Sequence, residues 1–256
     1  MIIKTLGKGS FATVLLCKDT QTYELFAIKK MNKKALKSKK AGKDKSAYDC
    51  VIEELKLLKR LEHPNIIWLH EIIDDQKKDH IYLVTEWLQK GTLGDLVAVK
   101  NRVFESPNKS AKEEGRDDEI RFVGLAPNII RMYFIDLLKA LYYCHKVANI
   151  IHRDIKPENI GINHNGEAVL IDFGVSADVE NRKDDTLEQN MGSYMFFAPE
   201  MFLRGQEGGN EIKGERTDLW ALGITLYFLL SGQYPWHGAK NPLQLKNIIL
   251  ETDIDF

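Results

Sequence analysis

Cysteine is scarce in this 256-residue chain: Cys17, Cys50 and Cys144 are an odd number and form no CxxC pair. No disulfide framework is expected, and a reducing compartment is, with the three thiols as ordinary half-buried apolar residues. Long hydrophobic runs are missing as well. The longest, Leu219 to Leu230, is twelve residues interrupted by Gly223 and Thr225. It is too short to cross a bilayer and reads as a buried helix. Lys4 breaks the run begun by Ile2 and Ile3, so there is no signal-peptide core, and cytosol or nucleus is the expected location. Excess charge of either sign is also absent, because 36 basic and 37 acidic side chains leave a net charge of -1. No global field points to nucleic acid or membrane, so charge effects must be local.

What the chain does have is apolar content, 44% of residues, which excludes wholesale disorder. At this length it can bury a large core without disulfide or metal. The first ninety residues alternate short β-rich runs with turn formers: Ile2 to Leu6, Val14 to Lys18, Leu25 to Lys29, Ile66 to Ile73 and Ile81 to Thr85. Between the third and fourth runs lies Lys29 to Lys45, with nine lysines against Asp44 alone. It reads as a solvated loop, the other reading being a docking patch for an acidic partner. A helix is expected from Asp49 to Glu62, stopping before His63-Pro64-Asn65. Residues 101 to 126 mix Ser, Pro, Lys, Glu, Asp and Gly without apolar period and read as a surface insertion. Beyond them a helix is expected from Asn128 to His145, its apolar face carrying Ile130, Tyr133, Phe134, Leu137, Leu138 and Leu141. A hairpin turning at Asn163-His164-Asn165-Gly166 follows. There is no internal repeat. The expected fold class is α+β: a small antiparallel-sheet half with one main helix, then a larger, mostly helical half.

Three constellations carry chemistry. Gly7-Lys8-Gly9-Ser10-Phe11-Ala12-Thr13-Val14 sets two glycines between strands, where backbone amides can approach phosphate oxygens. By itself it is equally an ordinary hairpin turn; no helix follows, and no Gly-Lys-Ser/Thr ends it. Lys29 closes the apolar run Phe26-Ala27-Ile28, and Glu54 falls on the apolar stripe of Val51, Leu55, Leu58 and Leu61. A carboxylate on such a stripe demands a cation, the alternative being that it snorkels at the edge. Most informative is Ile151-His152-Arg153-Asp154-Ile155-Lys156-Pro157-Glu158-Asn159. It packs an acid able to take a hydroxyl proton, a cation able to neutralise a phosphoryl group, and an amide oxygen able to ligate Mg²⁺ into one loop. Asp172-Phe173-Gly174, a second hard oxygen ligand, then Ala198-Pro199-Glu200 and Asp218-Leu219-Trp220, follow in order.

In these motifs the chain resembles the eukaryotic protein kinases from Met1 to Phe256: Gly7-x-Gly9-x-x-Ala12-x-Val14, Ala27-Ile28-Lys29, Glu54, His152-Arg153-Asp154 through Asn159, Asp172-Phe173-Gly174, Ala198-Pro199-Glu200 and Asp218-x-Trp220. The resemblance implies a bilobal fold with ATP and Mg²⁺ between residues 1–85, a hinge at 86–91, and a larger lobe over 92–256. Gly7, Gly9, Val14, Ala27, Lys29, Glu86 and Leu88 would bind the nucleotide, with Thr85 as gatekeeper. Lys29 would pair with Glu54, Asp154 would accept the proton, and Asn159 and Asp172 would hold Mg²⁺. Lys156 is similar to the Ser/Thr-kinase form of the loop, so a protein hydroxyl is the implied acceptor. Leu61-Glu62-His63-Pro64-Asn65, Ile72-Ile73-Asp74-Asp75 with Asp79-His80, Asp172 to Ser176, and the basic insertion are similar to calcium/calmodulin-dependent protein kinase kinases and their plant relatives. That implies an upstream kinase that activates other kinases, with calmodulin engaged only through segments absent from this chain.

Rival readings are a small-molecule phosphotransferase, against which Ala198-Pro199-Glu200 weighs, and a catalytically dead scaffold, against which the intact site residues weigh. Cys144, His145 and His152 fit no zinc spacing; His152 reads as a packed residue fixing the loop. Trp87, Trp220 and Trp236 read as hinge and core aromatics, with nothing to suggest base stacking by a nucleic-acid surface. Ala12 replaces a third loop glycine, and Ser193-Tyr194 stands where Thr-Pro or Ser-Pro is common. The family's last helices are missing, so a fragment is expected. Arg153 calls for an anion from the loop between Asp172 and Glu200, either phosphorylated Thr186 or, preferred here, the acids Asp184, Asp185 and Glu188. Gly161 stands where the family places an aliphatic floor beneath adenine. The expectation is weakened ATP binding, relieved by Gly161→Leu unless Ile160, Ile162 or Ile171 fills the gap.

Overall fold

A computed structural model describes residues 1–9, 12–41, 45–105, 124–178, 194–203, 212–236, 238–239 and 241–254, with backbone alone over 101–105. Five strands rich in Ile, Leu and Val, β1 (Ile2–Lys8), β2 (Ala12–Lys18), β3 (Leu25–Asn32), β4 (Leu69–Asp74) and β5 (His80–Glu86), form one antiparallel sheet in the order β1-β2-β3-β5-β4. Val14, Lys29 and Leu83 stand opposite one another across β2, β3 and β5, and so do Leu16, Ala27 and Thr85. Directly opposed residues share a face, so these six line one side of the sheet.

The fourth strand begins at Leu69 and not at the expected Ile66, because His63-Pro64-Asn65 diverts the chain towards the second lobe. The Asn65 amide donates to the Ala168 carbonyl at 3.0 Å, and the Ile67 N–H to the Leu170 carbonyl at 2.9 Å. The lysine-rich stretch is also corrected. Asn32 caps a short helix, α1 (Lys33–Ser38), by accepting from the Ala35 N–H at 2.9 Å. Lys33 is buried, paired with Asp74, and donates to the Asp75 carbonyl at 2.7 Å, while Lys34 lies 3.1 Å from Asp79. Only part of the stretch is therefore a solvated loop; Lys43 and Asp44 lie outside the described residues.

The main helix of this lobe, α2 (Ala47–Leu58), starts two residues before the expected Asp49. Ser46 forms a reciprocal capping box: its Oγ accepts from the Asp49 N–H at 3.3 Å, and the Asp49 carboxylate accepts from the Ser46 N–H at 2.8 Å. A helix not expected from the sequence, α3 (Leu93–Glu105), runs into the supposed insertion. Thr92 and Asp95 cap it in the same way, Asp95 N–H to Thr92 Oγ1 at 3.1 Å and Thr92 N–H to Asp95 Oδ2 at 3.0 Å.

The larger lobe is built on α4 (Pro127–Tyr142), which buries Ile130, Tyr133, Leu137 and Leu141. Leu138, expected on that face, is turned out to the surface with Ile135 and Tyr142. The helix ends in a wider π turn, Tyr143–Val147, placing one extra residue before β6 (Ile150–Ile151). The expected hairpin is β7 (Ile160–Ile162) with β8 (Ala168–Leu170); β6 pairs with β9 (Ala177–Asp178). Then come α5 (Pro199–Phe202), α6 (Gly214–Ser231) and α7 (Pro242–Glu251). As expected, α6 is central, burying Ala221, Leu222, Ile224, Thr225 and Leu229, although Leu219 and Leu230 at the ends of its apolar run are half exposed. Among the described residues no helix is long and apolar enough to cross a membrane. One apolar core runs from Met31 and Leu55 in the sheet lobe through Leu137 and Leu170 to Leu222 and Trp236.

Because Ser46 and Asp49 satisfy each other's backbone donors, Ser46→Ala should destabilise the protein by about 1 kcal/mol, lowering its thermal midpoint by about 2–4 °C. Differential scanning fluorimetry checks this against Ser46→Asp, which keeps an accepting oxygen. Equal midpoints for Ser46→Ala and the parent would show that the box contributes nothing.

Candidate active site

The loop between β6 and β7 is positioned from beneath by one buried carboxylate. Asp218, near the start of α6 and 1% exposed, accepts the His152 N–H at 2.9 Å and the Arg153 N–H at 2.8 Å, and lies 2.8 Å from His145 Nε2. These bonds hold Arg153 at φ 71°, a left-handed conformation unfavourable for a side chain of that size. The His152 ring is fully buried. Its Nδ1 accepts the Asp154 N–H at 3.3 Å, its Nε2 donates to the Ile171 carbonyl at 3.0 Å, and its edge meets the Phe173 ring at 4.7 Å. Burial pushes the imidazole below its ordinary pKa despite the nearby Asp218, Asp172 and Asp154, which keeps the neutral tautomer those two bonds require. The sequence expectation for His152, a packed residue fixing the loop, is met.

From that base the loop presents its chemistry. Asp154 Oδ2 lies 2.6 Å from Lys156 Nζ and accepts from the Asn159 amide nitrogen at 2.8 Å. The same Asn159 nitrogen donates to the Asp154 carbonyl at 2.9 Å. Asp172 follows β8, tied to Asn159 through the Ile171 N–H, which donates to the Asn159 carbonyl at 3.0 Å. Asp172 is itself left-handed, at φ 61°. Gly174 permits a close approach here: a Cβ on it would lie 3.2 Å from Asp172 Oδ1 and 3.5 Å from Glu54 Oε2.

Lys29 faces this group from β3. Its ammonium lies 3.5 Å from Glu54 Oε1, the carboxylate being 6% exposed and the lysine side chain one third exposed. Burial pulls the Lys29 ammonium down, but the charges of Glu54 and Asp172 outweigh it and hold its pKa above the ordinary value. Burial, only partly offset by Lys29 and reinforced by Asp172, raises that of Glu54. The alternative reading of Glu54 as an edge residue is thereby removed.

The remaining expected residues fall around the same cleft. Gly7 stands opposite Val14, and the Gly9 N–H closes the turn on the Ala12 carbonyl at 2.8 Å; Ser10 and Phe11 lie outside the described residues. Val14 and Ala27 share a sheet face with Lys29. Glu86, opposite Phe26, carries its side chain on the other face, where its carboxylate accepts the Trp68 N–H at 2.9 Å, so only its backbone can meet a base. The expected gap over Gly161 is a correction. A Cβ added there would overlap Leu88 Cδ1 and lie 3.3 Å from Leu88 Cγ, so Leu88, not a neighbouring isoleucine, occupies that volume. Thr186, the acids around it and Ser193 lie outside the described residues.

Two contributors were not among the predicted site residues: Asp218, noted only as a marker, and His145. The signal was present, since a carboxylate directly before the apolar run Leu219 to Leu230 needs donors where it is buried. Cys144 is fully buried, its thiol pushed up to about 12 by burial with Asp218 adding, which suits an inert core residue. Among the described residues no three His, Cys, Asp or Glu side chains stand together to hold a metal. Asn159 with Asp172 instead offers the sparse oxygen set that suits Mg²⁺ carried in on phosphates.

The sequence profile of the protein kinase domain matches residues 1–254. The chain belongs to that family. This kinase domain is 35% identical over 243 residues to the serine/threonine-protein kinase ssp1 of Schizosaccharomyces pombe, covering 93% of this chain and 34% of that one. It is 32% identical over 244 residues to a probable serine/threonine-protein kinase of Dictyostelium discoideum, covering 95% and 30%. To CBL-interacting protein kinase 21 of rice, Oryza sativa subsp. japonica, it is 32% identical over 252 residues, covering 98% and 41%. The kinase domain thus spans less than half the length of these three relatives, two of which are named as serine/threonine-protein kinases.

In this kinase domain, Lys29→Met leaves the buried Glu54 carboxylate unpaired. With Lys29 partly exposed, the expected destabilisation is about 1–3 kcal/mol, below the range for fully buried pairs. Adding Glu54→Gln should return most of the lost thermal midpoint without returning activity. Equal midpoints for Lys29→Met and the parent would mean that the pair carries no stability.

Proposed function

We propose that this chain transfers the γ-phosphoryl group of ATP to serine or threonine hydroxyls of protein substrates. The observation that carries this reading is the Asp154 carboxylate, bonded at once to Lys156 and Asn159, on the same wall as Asp172, whose charge in turn acts on the Lys29–Glu54 pair. Asp154 accepts the proton of the attacking hydroxyl. Lys156, 2.6 Å from that carboxylate, neutralises charge on the group in transit. Lys29, steadied by Glu54, holds the α- and β-phosphates, and the backbone around Gly7 and Gly9 covers them. Asn159 and Asp172 are the residues that would hold Mg²⁺, which supplies charge neutralisation on the phosphate oxygens when bound. Little covalent work is left to the protein, so positioning and electrostatics dominate the rate.

A finer reading is an upstream kinase acting on other kinases in the cytosol. Its support is the sequence likeness of Leu61 to Asn65, Ile72 to Asp75 and Asp172 to Ser176 to calcium/calmodulin-dependent protein kinase kinases. The name of the rice relative also makes a regulatory protein partner part of this reading.

Incubation with radiolabelled ATP, Mg²⁺ and a protein library tests the proposal. Label should enter serine and threonine, and Asp154→Asn and Asp172→Ala should each reduce transfer at least about 100-fold. Label entering small molecules only, no label from the parent chain, or full transfer by either variant would reject it.

A further inference from the structure

The sheet face bearing Val14, Lys29, Leu16 and Ala27 is the one that looks onto Glu54 and Asp172. The opposite wall leaves Asn159, passes through Gly161 in β7 and returns through β8 towards Asp172. Where the two walls meet, the connection from β5 to α3 lies flat on β7. Thr92 bridges to Gly161, and the Ile162 N–H donates to the Gly91 carbonyl at 2.9 Å. Leu88 lies on this connection, half buried and packed against the core, with its side chain over Gly161. A Cβ at 161 would stand 3.3 Å from Leu88 Cγ and 3.4 Å from Leu88 Cβ, besides overlapping Cδ1. The bare glycine is what admits the leucine.

We infer that Leu88 is the side chain on which the base of the nucleotide rests, delivered from the connection between the lobes and not from β7. The inference deepens the ATP reading above and rests on it. The base slot is then bounded by Val14 and Ala27 on one side and by the Leu88 isobutyl group on the other. Leu88 and Gly161 share one volume, so bulk is tolerated at either position but not at both. The pair acts as a single specificity element whose apolar part moves with the hinge.

A double-mutant cycle on nucleotide affinity tests this, using ATP and ADP by titration calorimetry and inorganic tripolyphosphate as a probe without a base. Leu88→Ala removes the floor and should weaken ATP about tenfold, equivalent to about 1.4 kcal/mol, while tripolyphosphate binding stays unchanged. Gly161→Leu overfills the volume and should weaken ATP by a similar factor. The double variant, Leu88→Ala with Gly161→Leu, moves the bulk to the other wall and should bind ATP within about threefold of the parent, since closely packed sites couple strongly. Thermal midpoints without nucleotide establish that each variant is folded. If Gly161→Leu is not, Gly161→Ala takes its place in the cycle, because its Cβ alone meets Leu88 Cδ1. Parent-like ATP affinity in Leu88→Ala, or a double variant weaker than both singles, overturns the floor assignment while ATP binding by the parent stands. A parent chain that binds no nucleotide overturns the ATP reading, and the floor assignment with it.

Discussion

The loop that carries Asp154 depends on Asp218. Its carboxylate is shielded from water, and its desolvation is offset by two backbone N–H groups and the His145 ring. The bonds run from α6 to consecutive residues of another segment, so they fix direction as well as position. Arg153 is held left-handed, and Asp154 emerges at the angle that brings it to Lys156 and Asn159. Lys156 and Asn159 belong to the loop being oriented, and the His152 ring, bonded to the Ile171 carbonyl, ties its other side to the segment that bears Asp172.

A second set of ties joins the two halves of the molecule. Asn65 and Ile67, nominally part of the sheet lobe, hydrogen-bond to the β8 strand that leads to Asp172. Arg60, just past the end of α2, pairs with Asp178 in β9 and reaches the Ala148 carbonyl at 3.3 Å. Glu54 is on α2 and Asp172 precedes β9, so the same two elements that supply the charges around Lys29 are pinned a few residues further along. The electrostatics of the cleft therefore rest on backbone and side-chain bonds outside it.

The strands, the main helices and the order of the site residues were legible because they depend on local pattern: β-rich runs, helical apolar spacing, and charged residues at short separations in one loop. What escaped depends on distant partners. Lys33 reads as one more solvated lysine until Asp74 and the Asp75 carbonyl are brought beside it by the β4–β5 turn. Helix α3 was lost in a polar region although Thr92 and Asp95 carried its start signal, because the Ser, Pro and Gly content further on dominated the reading. Gly161 was correctly singled out but read as a gap, since no pattern along the chain announces that a side chain 73 positions away fills it. Asp218 was visible only as a marker, its three partners lying 65 to 73 residues before it.

The π turn at the end of α4 has a consequence of a different kind. A helix turns by about 100° per residue, so one residue more or fewer between Tyr142 and Ile150 would swing the His145 ring through more than a quarter circle. It would then leave Asp218, a carboxylate only 1% exposed, with one partner fewer. What this segment must preserve is thus a count. Many single replacements along its exposed side would pass unnoticed, whereas losing any one residue there would disarm a loop whose own sequence was intact.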